Sequence, residues 1–389
     1  MTLILFLIIL GALVFVHELG HFIAAKKAGI RVDEFALGFP PKIIGKRVGE
    51  TIYNLNLIPF GGYVKIFGED GEDAEQAMKQ ERGTDTESQL ENGVSESERM
   101  EVVSDDKRSF TSKPRWIQAI VLVSGVLGNI VFAWLLISIS FMSGIPSSVE
   151  GRYAENVRSP KLMITNVLPD SPADRAGLQS GDVITSIEEG SKRLDTTDSE
   201  ATSNFIGEST EKLSISYTRG KEQGAISVVP VAGIVEGKPA IGVGLDTIGV
   251  VRFGFFRSFF EGALMTSDLL REVTIGLFGF LKQALLGNAD LSAVTGPVGI
   301  AGLVGEARVL GVIYLLSFTA FISINLAVLN LVPFPALDGG RLLFLAIEGI
   351  IRRPIPVKFT RTVNTAGFIL LILFMVFITY RDVVRLVSS

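Results

Sequence analysis

Two histidines four positions apart are the residues of this chain whose types and spacing best fit a reactive site. They are the only histidines among 389 residues, His17 and His21, and both lie in an apolar stretch over residues 1–28. Residues four apart on a helix share one face, so two neutral imidazoles there can bind one zinc ion. Glu18 lies between them in the pattern His-Glu-Leu-Gly-His, where a carboxylate can act as a general base.

This pattern also has a plainer interpretation. A histidine in an apolar helix usually hydrogen-bonds a neighbouring helix, and H-E-x-x-H occurs by chance in unrelated proteins. However, burying a histidine, a glutamate and a second histidine together in a membrane span costs free energy unless they are paired. A metal site accounts for that cost, so we favour it.

A third ligand must come from elsewhere in the chain, because a catalytic zinc usually has three protein ligands and one open position. The chain has no further histidine and no cysteine, which leaves a carboxylate. Asp338 is the candidate, since it follows an apolar run that Pro333 and Pro335 must break. Broken backbone at membrane depth is tolerated where it is buried in protein or lines a cavity. Asp also suits the N-cap of a following helix, and the local sequence leaves both roles open.

The elements that must position these residues are membrane spans. Hydrophobic residues make up 48% of the chain. A spanning helix takes about 20 apolar residues, and four segments qualify: residues 3–25, 117–141, 309–331 and 363–380. The first carries no charge before His17 and continues past it, so we expect a retained span rather than a cleaved signal peptide. Basic residues cluster after the first span, before the second, and between the third and fourth. The positive-inside rule therefore predicts that these connections are cytoplasmic.

The remaining parts differ in character. Residues 32–68 alternate apolar and polar residues, as in a small sheet that completes a first region over 1–68. Residues 69–113 are an acidic insertion, predicted to be disordered. The second span, within 114–145, is followed by a strand-and-turn domain over 152–250. We expect amphipathic interfacial helices over 253–305 and the last two spans within 306–389.

Composition excludes several classes of protein and site. The net charge of −5 and the absence of a basic stripe argue against nucleic acid as a partner. The lack of cysteine excludes a disulfide, a cysteine nucleophile and a cysteine-ligated metal. Four spans without an internal repeat give no support to a transporter.

Several motifs in order give the chain a family resemblance. They are His-Glu-Leu-Gly-His at 17–21, Phe-Ala-Leu-Gly-Phe at 35–39, Pro-Phe-Gly-Gly-Tyr-Val-Lys at 59–65, Gly-Val-Leu-Gly-Asn at 125–129, a PDZ-like segment at 164–184, Thr-Gly-Pro-Val-Gly-Ile-Ala at 295–301, and the run from Asn330 to Gly340. With them the chain resembles the site-2 protease family of intramembrane zinc metalloproteases, in its bacterial RseP-like branch. The resemblance implies a polytopic α-helical membrane protein with a membrane re-entrant β-loop and one inserted α+β PDZ domain.

The resemblance also implies roles for particular residues. Zn²⁺, one ion per chain, would be bound by His17, His21 and Asp338, and Glu18 would be the general base. Two asparagines of the third span and three residues of the β-loop would contact the substrate: Asn325, Asn330, Gly61, Gly62 and Tyr63. Hydrogen bonding between spans is the alternative role of the asparagines. The chain departs from the family at Gly125-Val126, where Gly-Pro is frequent, which leaves substrate gating open.

The implied function is intramembrane cleavage of single-span membrane proteins, such as an anti-sigma factor, or of leftover signal peptides. The enzyme would lie in a bacterial inner membrane among its lipids, with the active site towards the cytoplasm. The PDZ domain would face outward and control which substrates reach the active site, either by binding a peptide segment or by excluding large substrates. The alternative is that it is a spacer without a ligand. A catalytically silent adaptor is the alternative function, but the intact Glu18 argues against it.

Overall fold

The computed structural model describes residues 1–69, 107–220, 222–235, 237–288, 294–353 and 355–388. Most of the predicted disordered insertion therefore lies outside the described residues. The helices are, in chain order, α1 (Thr2–Lys27), α2 (Arg115–Ser143), α3 (Pro172–Arg175), α4 (Ser199–Glu208), α5 (Phe255–Leu285), α6 (Pro297–Leu310), α7 (Val312–Asn330), α8 (Asp338–Ile351) and α9 (Val357–Ser388).

Four of the described helices are long and apolar enough to cross a membrane, namely α1, α2, α7 and α9. They correspond to the four predicted spans, with shifted ends. The third starts at Val312 rather than 309, because Gly311 adopts a φ of +122° and separates α6 from α7. The fourth starts at Val357, because its first two turns are helical although Lys358 and Arg361 make them too polar to read as a span.

The chain divides into two compact units. The first comprises Met1–Leu135, Leu264–Val304 and Thr319–Val384, and the second contains Leu136–Ala263, Gly305–Phe318 and the C-terminal residues. All the residues predicted to bind zinc or substrate belong to the first unit, which we describe first.

A small sheet in the first unit packs against α1. Its strands are β1 (Val32–Val48) and β2 (Thr51–Ile66), and the first half of β1 lies between two parts of β2. Phe35, for example, is in register with Tyr53 on one side and with Val64 on the other. The Phe35 ring meets Phe15 and Phe22 of α1 edge to face, with centroids 5.7 and 5.3 Å apart. The aromatic packing fixes the sheet against the helix that carries both histidines.

Helices α1 and α2 approach each other through glycines. A Cβ atom added to Gly20 would lie 2.2 Å from the Ser124 carbonyl oxygen, and one added to Gly128 would lie 2.8 Å from that of Val16. Small residues let helices in a membrane pack with their backbones in contact. The approach brings α2 within hydrogen-bonding distance of the α1 histidines.

The second unit contains a mixed α/β region between α2 and α5. Its main sheet contains the strands β3 (Ile145–Ser148), β4 (Arg158–Val167), β5 (Val183–Glu189), β6 (Lys192–Leu194), β7 (Leu213–Arg219), β8 (Glu222–Val228) and β11 (Val243–Val251), while β9 (Val231–Val235) and β10 (Lys238–Ala240) form a separate pair. The strand order in the main sheet is β3-β11-β4-β5-β7-β8, with β6 paired to β5.

This region has its own hydrophobic core and capped helices. Inward residues of β4, β5 and β7, including Leu162, Ile184 and Ile215, form one buried cluster. Ser171 accepts a hydrogen bond from Asp174 N at the start of α3, and Asp198 accepts two at the start of α4. The sheet begins at residue 145, slightly before the predicted limit of 152, because the residues after α2 pair with β11.

Helices α5 and α6 occupy the stretch where amphipathic helices are predicted. Neither is among the described helices that qualify as membrane spans. The first residues of α5 expose several aromatic side chains, among them Phe255, Phe256 and Phe260. At the start of α6, Gly299 N donates a hydrogen bond of 2.8 Å to Asp382 of α9.

Candidate active site

Three predicted ligand atoms meet in the first unit. His17 Nε2 lies 3.2 Å from His21 Nε2, and Asp338 Oδ2 lies 3.1 and 3.3 Å from these two nitrogens. Both histidines are buried, and they belong to the same face of α1 because they are one turn apart. Asp338 arrives from the other end of the sequence as the first residue of α8.

The arrangement fits a zinc ion. A tetrahedral zinc with bonds of about 2.0–2.1 Å separates its ligand atoms by about 3.3–3.4 Å, close to the distances between these three atoms. Asp338 Oδ2 is buried, and within the described residues it accepts no hydrogen bond of good geometry. A cation held by two nitrogens and one carboxylate oxygen satisfies all three atoms.

The other nitrogen of each imidazole contacts α2. His21 Nδ1 lies 2.8 Å from the Val121 carbonyl oxygen, which can only accept, so Nδ1 carries the proton and Nε2 presents its lone pair. His17 Nδ1 lies 3.2 Å from Nδ2, the amide nitrogen, of Asn129, which is fully buried. Asn129 Oδ1 has no partner among the described residues. A half-turn of this amide presents Oδ1 to His17 Nδ1–H and frees Nε2 for the metal.

Glu18 lies beside the sheet. A Cβ atom added to Gly62 of β2 would be 3.4 Å from Glu18 Cγ and 2.8 Å from the Ala36 carbonyl oxygen. Residues 62–65 pair with residues 34–37 of β1 on one side, and no described strand pairs with them on the other. Glycine at position 62 thus allows an outer strand to pass directly beside Glu18.

The other two β-loop residues have structural contacts. Gly61 has a φ of +128°, and a Cβ atom there would lie 2.5 Å from the Phe39 ring. The Tyr63 hydroxyl donates a hydrogen bond of 2.7 Å to Glu34 Oε1. Burial and this neighbouring carboxylate raise the pKa of Tyr63 to about 12, so the phenol keeps its proton. The Tyr63 side chain therefore bonds to the neighbouring strand β1, while the Tyr63 backbone forms part of the outer strand.

The two predicted asparagines are not brought to the metal ligands. Asn325 Nδ2 donates a hydrogen bond of 2.8 Å to Phe321 O, one turn back on the same helix. Asn330 is the last residue of α7. In the described part of the chain, no hydrogen bond joins either residue to His17, His21 or Asp338.

The helix-capping alternative for Asp338 is wrong. The N-cap of α8 is Leu337, and Asp338 lies in the first turn, where its carboxylate faces the histidines instead of the helix end. The glycines that follow allow this turn. Cβ atoms on Gly339 and Gly340 would lie 2.3 Å from the Val332 carbonyl oxygen and 2.2 Å from that of Phe334. The broken segment before α8 thus folds back onto its first turn.

Sequence reasoning missed how α2 completes the site. A Cβ atom on Gly125 would lie 2.3 Å from His21 Nε2, so only glycine leaves this position open to a metal. Ser323 of α7 donates a hydrogen bond of 2.8 Å to the Asn129 carbonyl oxygen and so links a third helix to the site. The small residues at 125–129 indicated that another helix packs closely here. Their spacing does not predict which histidine nitrogen each of them contacts.

Comparisons with known proteins identify the family of this chain. The model of peptidase family M50 matches residues 5–374. The regulator of sigma-W protease RasP of Bacillus subtilis is 32% identical, with 99% of each chain covered. The zinc metalloprotease RasP of Geobacillus kaustophilus is 31% identical over 98% of this chain and 97% of its own. The Clostridium perfringens protein CPE1693, provisionally named a zinc metalloprotease, is 34% identical over 99% of both chains.

One solved structure is also similar to part of the chain. The PDZ domain of an SdrC-like protein from Listeria monocytogenes is 25% identical, and its alignment covers 23% of this chain and 90% of that domain with a TM-score of 0.20. The family match, by contrast, covers nearly the whole sequence and makes the chain an enzyme rather than a silent adaptor. The chain belongs to peptidase family M50 and is a zinc-dependent metalloendopeptidase of the site-2 protease family, with several membrane-spanning helices.

Proposed function

We propose that His17, His21 and Asp338 bind the catalytic zinc and that Glu18 is the general base for peptide hydrolysis. The observation that carries this proposal is the convergence of three ligand atoms within 3.1–3.3 Å of one another, two of them on α1, which also bears Glu18, and the third on α8. These four side chains supply the two functions that a metallopeptidase needs, metal binding and proton transfer.

Each residue has a defined part in the reaction. Zinc, when bound, acts as a Lewis acid and lowers the pKa of water towards about 7. Glu18 takes a proton from the attacking water while the water oxygen forms a bond to the scissile carbonyl carbon. The same carboxyl group then gives that proton to the leaving amine nitrogen as the C–N bond breaks. Val121 and Asn129 hold the two imidazoles in the orientation that binds metal.

The substrates we propose are single-span membrane proteins whose helix unwinds near the site. A helical peptide bond is screened by side chains, and its backbone groups are already hydrogen-bonded. Residues 62–64 of the outer strand, beside Glu18, pair with β1 on one side and with no strand of the described residues on the other, so an unwound segment can add there as a further strand. Asn325 and Asn330 remain proposed as substrate contacts that form when such a segment is present.

We further propose that the region from β3 through β11 is a PDZ domain outside the membrane that restricts access to trimmed substrates. Its strand, short α3 helix and return strand follow the pattern of the PDZ-like sequence over 164–184. The distribution of basic residues supports a multi-pass orientation in a bacterial inner membrane, with the active site towards the cytoplasm. One relative is named for regulation of sigma-W, which supports an anti-sigma factor as the substrate here.

Replacing one carboxylate tests the proposed chemistry. Glu18→Gln keeps the side-chain size but removes the base, so we expect zinc content to stay at one per chain while cleavage of a single-span substrate in liposomes falls about 10²–10⁴-fold. Metal content is measured by plasma mass spectrometry and cleavage by gel. Glu155→Gln, an exposed carboxylate of the second unit, is the matched control. A fully zinc-loaded Glu18→Gln enzyme that cuts at the normal rate would contradict the proposal.

A further inference from the structure

A cavity in the first unit is lined by residues other than the proposed metal ligands. It has a volume of about 710 Å³ and is lined by the beginnings of α2 and α9 and by α8. His17, Glu18, His21 and Asp338 do not line it. We propose that this cavity binds an anionic glycerophospholipid, with the phosphate at its basic rim and an acyl chain along its apolar wall.

The rim of the cavity carries an excess of positive charge. Two carboxylates also line the cavity. Glu69 pairs with Arg341, and Glu348 Oε1 accepts a hydrogen bond of 2.9 Å from Ile355 N. Arg115, the first residue of α2, and Lys113, two residues before it, form no ion pair with any residue in the described ranges. Arg361 of α9 adds a further positive charge to the lining.

The wall below the rim is apolar. Leu122, Phe344 and Leu345 line it together with residues at the entry to α9, Ile355 and Val357. A small soluble anion has no hydrocarbon that could pack against this wall, whereas a phospholipid has both a charged headgroup and acyl chains. Basic pockets between spanning helices on the cytoplasmic side are sites where anionic headgroups bind.

The position of the cavity connects it to the metal site. Gln118 and Leu122 line it from α2, on either side of Val121, whose carbonyl oxygen holds His21. Arg341 lines it from α8, one turn after Asp338. A lipid seated here packs against both elements that position metal ligands, so we expect its binding to stabilise their arrangement.

Native mass spectrometry of the zinc-loaded, full-length protein in detergent tests the proposal. Phosphatidylglycerol and phosphatidylcholine with the same acyl chains are titrated separately. We expect at least tenfold tighter binding of phosphatidylglycerol. Lys113→Gln/Arg115→Gln should weaken that binding about thirtyfold, since each basic residue near an anionic headgroup contributes a factor of about five. Lys46→Gln/Arg47→Gln, two exposed bases of β1 that do not line the cavity, is the matched control and should bind as the parent does.

Three results would overturn the proposal. The first is equal affinity for the two lipids, or an unchanged affinity in Lys113→Gln/Arg115→Gln. The second is displacement of the lipid by glycerol 3-phosphate at similar concentration, which would assign the rim to a free phosphate anion. The third is phosphatidylglycerol binding that occurs only after deletion of residues 70–106, whose thirteen carboxylates would then be the occupant.

Discussion

Each zinc-binding imidazole of the proposed site is held at both nitrogens. His21 Nδ1 faces the Val121 carbonyl oxygen and His17 Nδ1 faces the Asn129 amide, while both Nε2 atoms face Asp338. A partner at Nδ1 selects the tautomer in which Nε2 can bind metal. The two partners differ, because a backbone carbonyl can only accept a hydrogen bond, whereas an amide can either donate or accept. A backbone carbonyl is also kept in any substitution of Val121, whereas the amide is lost when Asn129 is replaced. Asn129 is therefore the partner whose substitution can change the tautomer of its histidine.

Substituting Asn129 tests this distinction. Asn129→Leu removes the acceptor for His17 Nδ1–H at nearly constant volume, and we expect zinc affinity to fall about 10–100-fold. Asn129→Asp restores an acceptor and should recover most of the loss. Affinity is measured by competition with a chelator, independently of cleavage.

The control for this experiment is a second asparagine in a membrane helix. Asn325 hydrogen-bonds within its own helix, so Asn325→Leu should leave zinc affinity unchanged. If Asn129→Leu binds zinc as tightly as the parent does, Asn129 serves only the packing of α2 against α1.

At the scale of elements, the site depends on how α8 begins. The segment after α7 contains Pro333 and Pro335 and is not helical. It folds back so that its carbonyl groups contact Gly339 and Gly340. Ala336 adopts a φ of +74° in this segment. Without a side chain on these glycines, the first turn of α8 can pack under the broken segment and place Asp338 at the histidines.

Adding one methyl group to this turn tests the importance of the packing. In Gly340→Ala the new Cβ would lie 2.2 Å from the Phe334 carbonyl oxygen, so the turn must shift and Asp338 with it. We expect reduced zinc occupancy by plasma mass spectrometry, with the helical circular dichroism retained. Gly349→Ala, on the same helix, meets no atom within 4 Å and should bind zinc normally. It should also gain up to about 1 kcal/mol of helix stability. Equal zinc occupancy in both variants would show that α8 tolerates the shift.

These elements differ in how far the sequence predicts them. The spans and the His17–His21 pair follow from hydrophobicity and helical periodicity, which are local properties. The proposed metal-binding role of Asp338 required a family resemblance, because its local sequence fits a helix cap equally well. The contacts of Asn129, Gly125 and Gly62 depend on which faces of distant elements meet, and no local pattern contains that information.

At the scale of the whole molecule, the region from β3 through β11 is inserted at one place in the chain. Ile145, just after α2, is in register with Val251, just before α5. In addition, Phe253 N donates a hydrogen bond of 3.1 Å to Phe141 O, so the end of α2 and the start of α5 are already joined there. The inserted region therefore has neighbouring entry and exit points and a core of its own. We therefore expect its removal to leave the proposed metal ligands undisturbed, since all of them belong to the first unit.

Excision of residues 146–250 tests whether the inserted region gates access. A short glycine-serine linker can join residue 145 to residue 251, because the two are cross-strand partners. We expect the shortened enzyme to bind one zinc and to cut a trimmed single-span substrate at a rate similar to the parent's. A substrate that keeps a folded outer domain should be cut slowly by the parent but at least tenfold faster by the shortened enzyme, because only the parent carries the obstruction. The ratio of the two rates in liposomes is the decisive measurement, since it cancels any general loss of activity. An unchanged ratio would mean that the inserted region is a spacer, and that selection of trimmed substrates, where it occurs, belongs to the sheet and helices around Glu18.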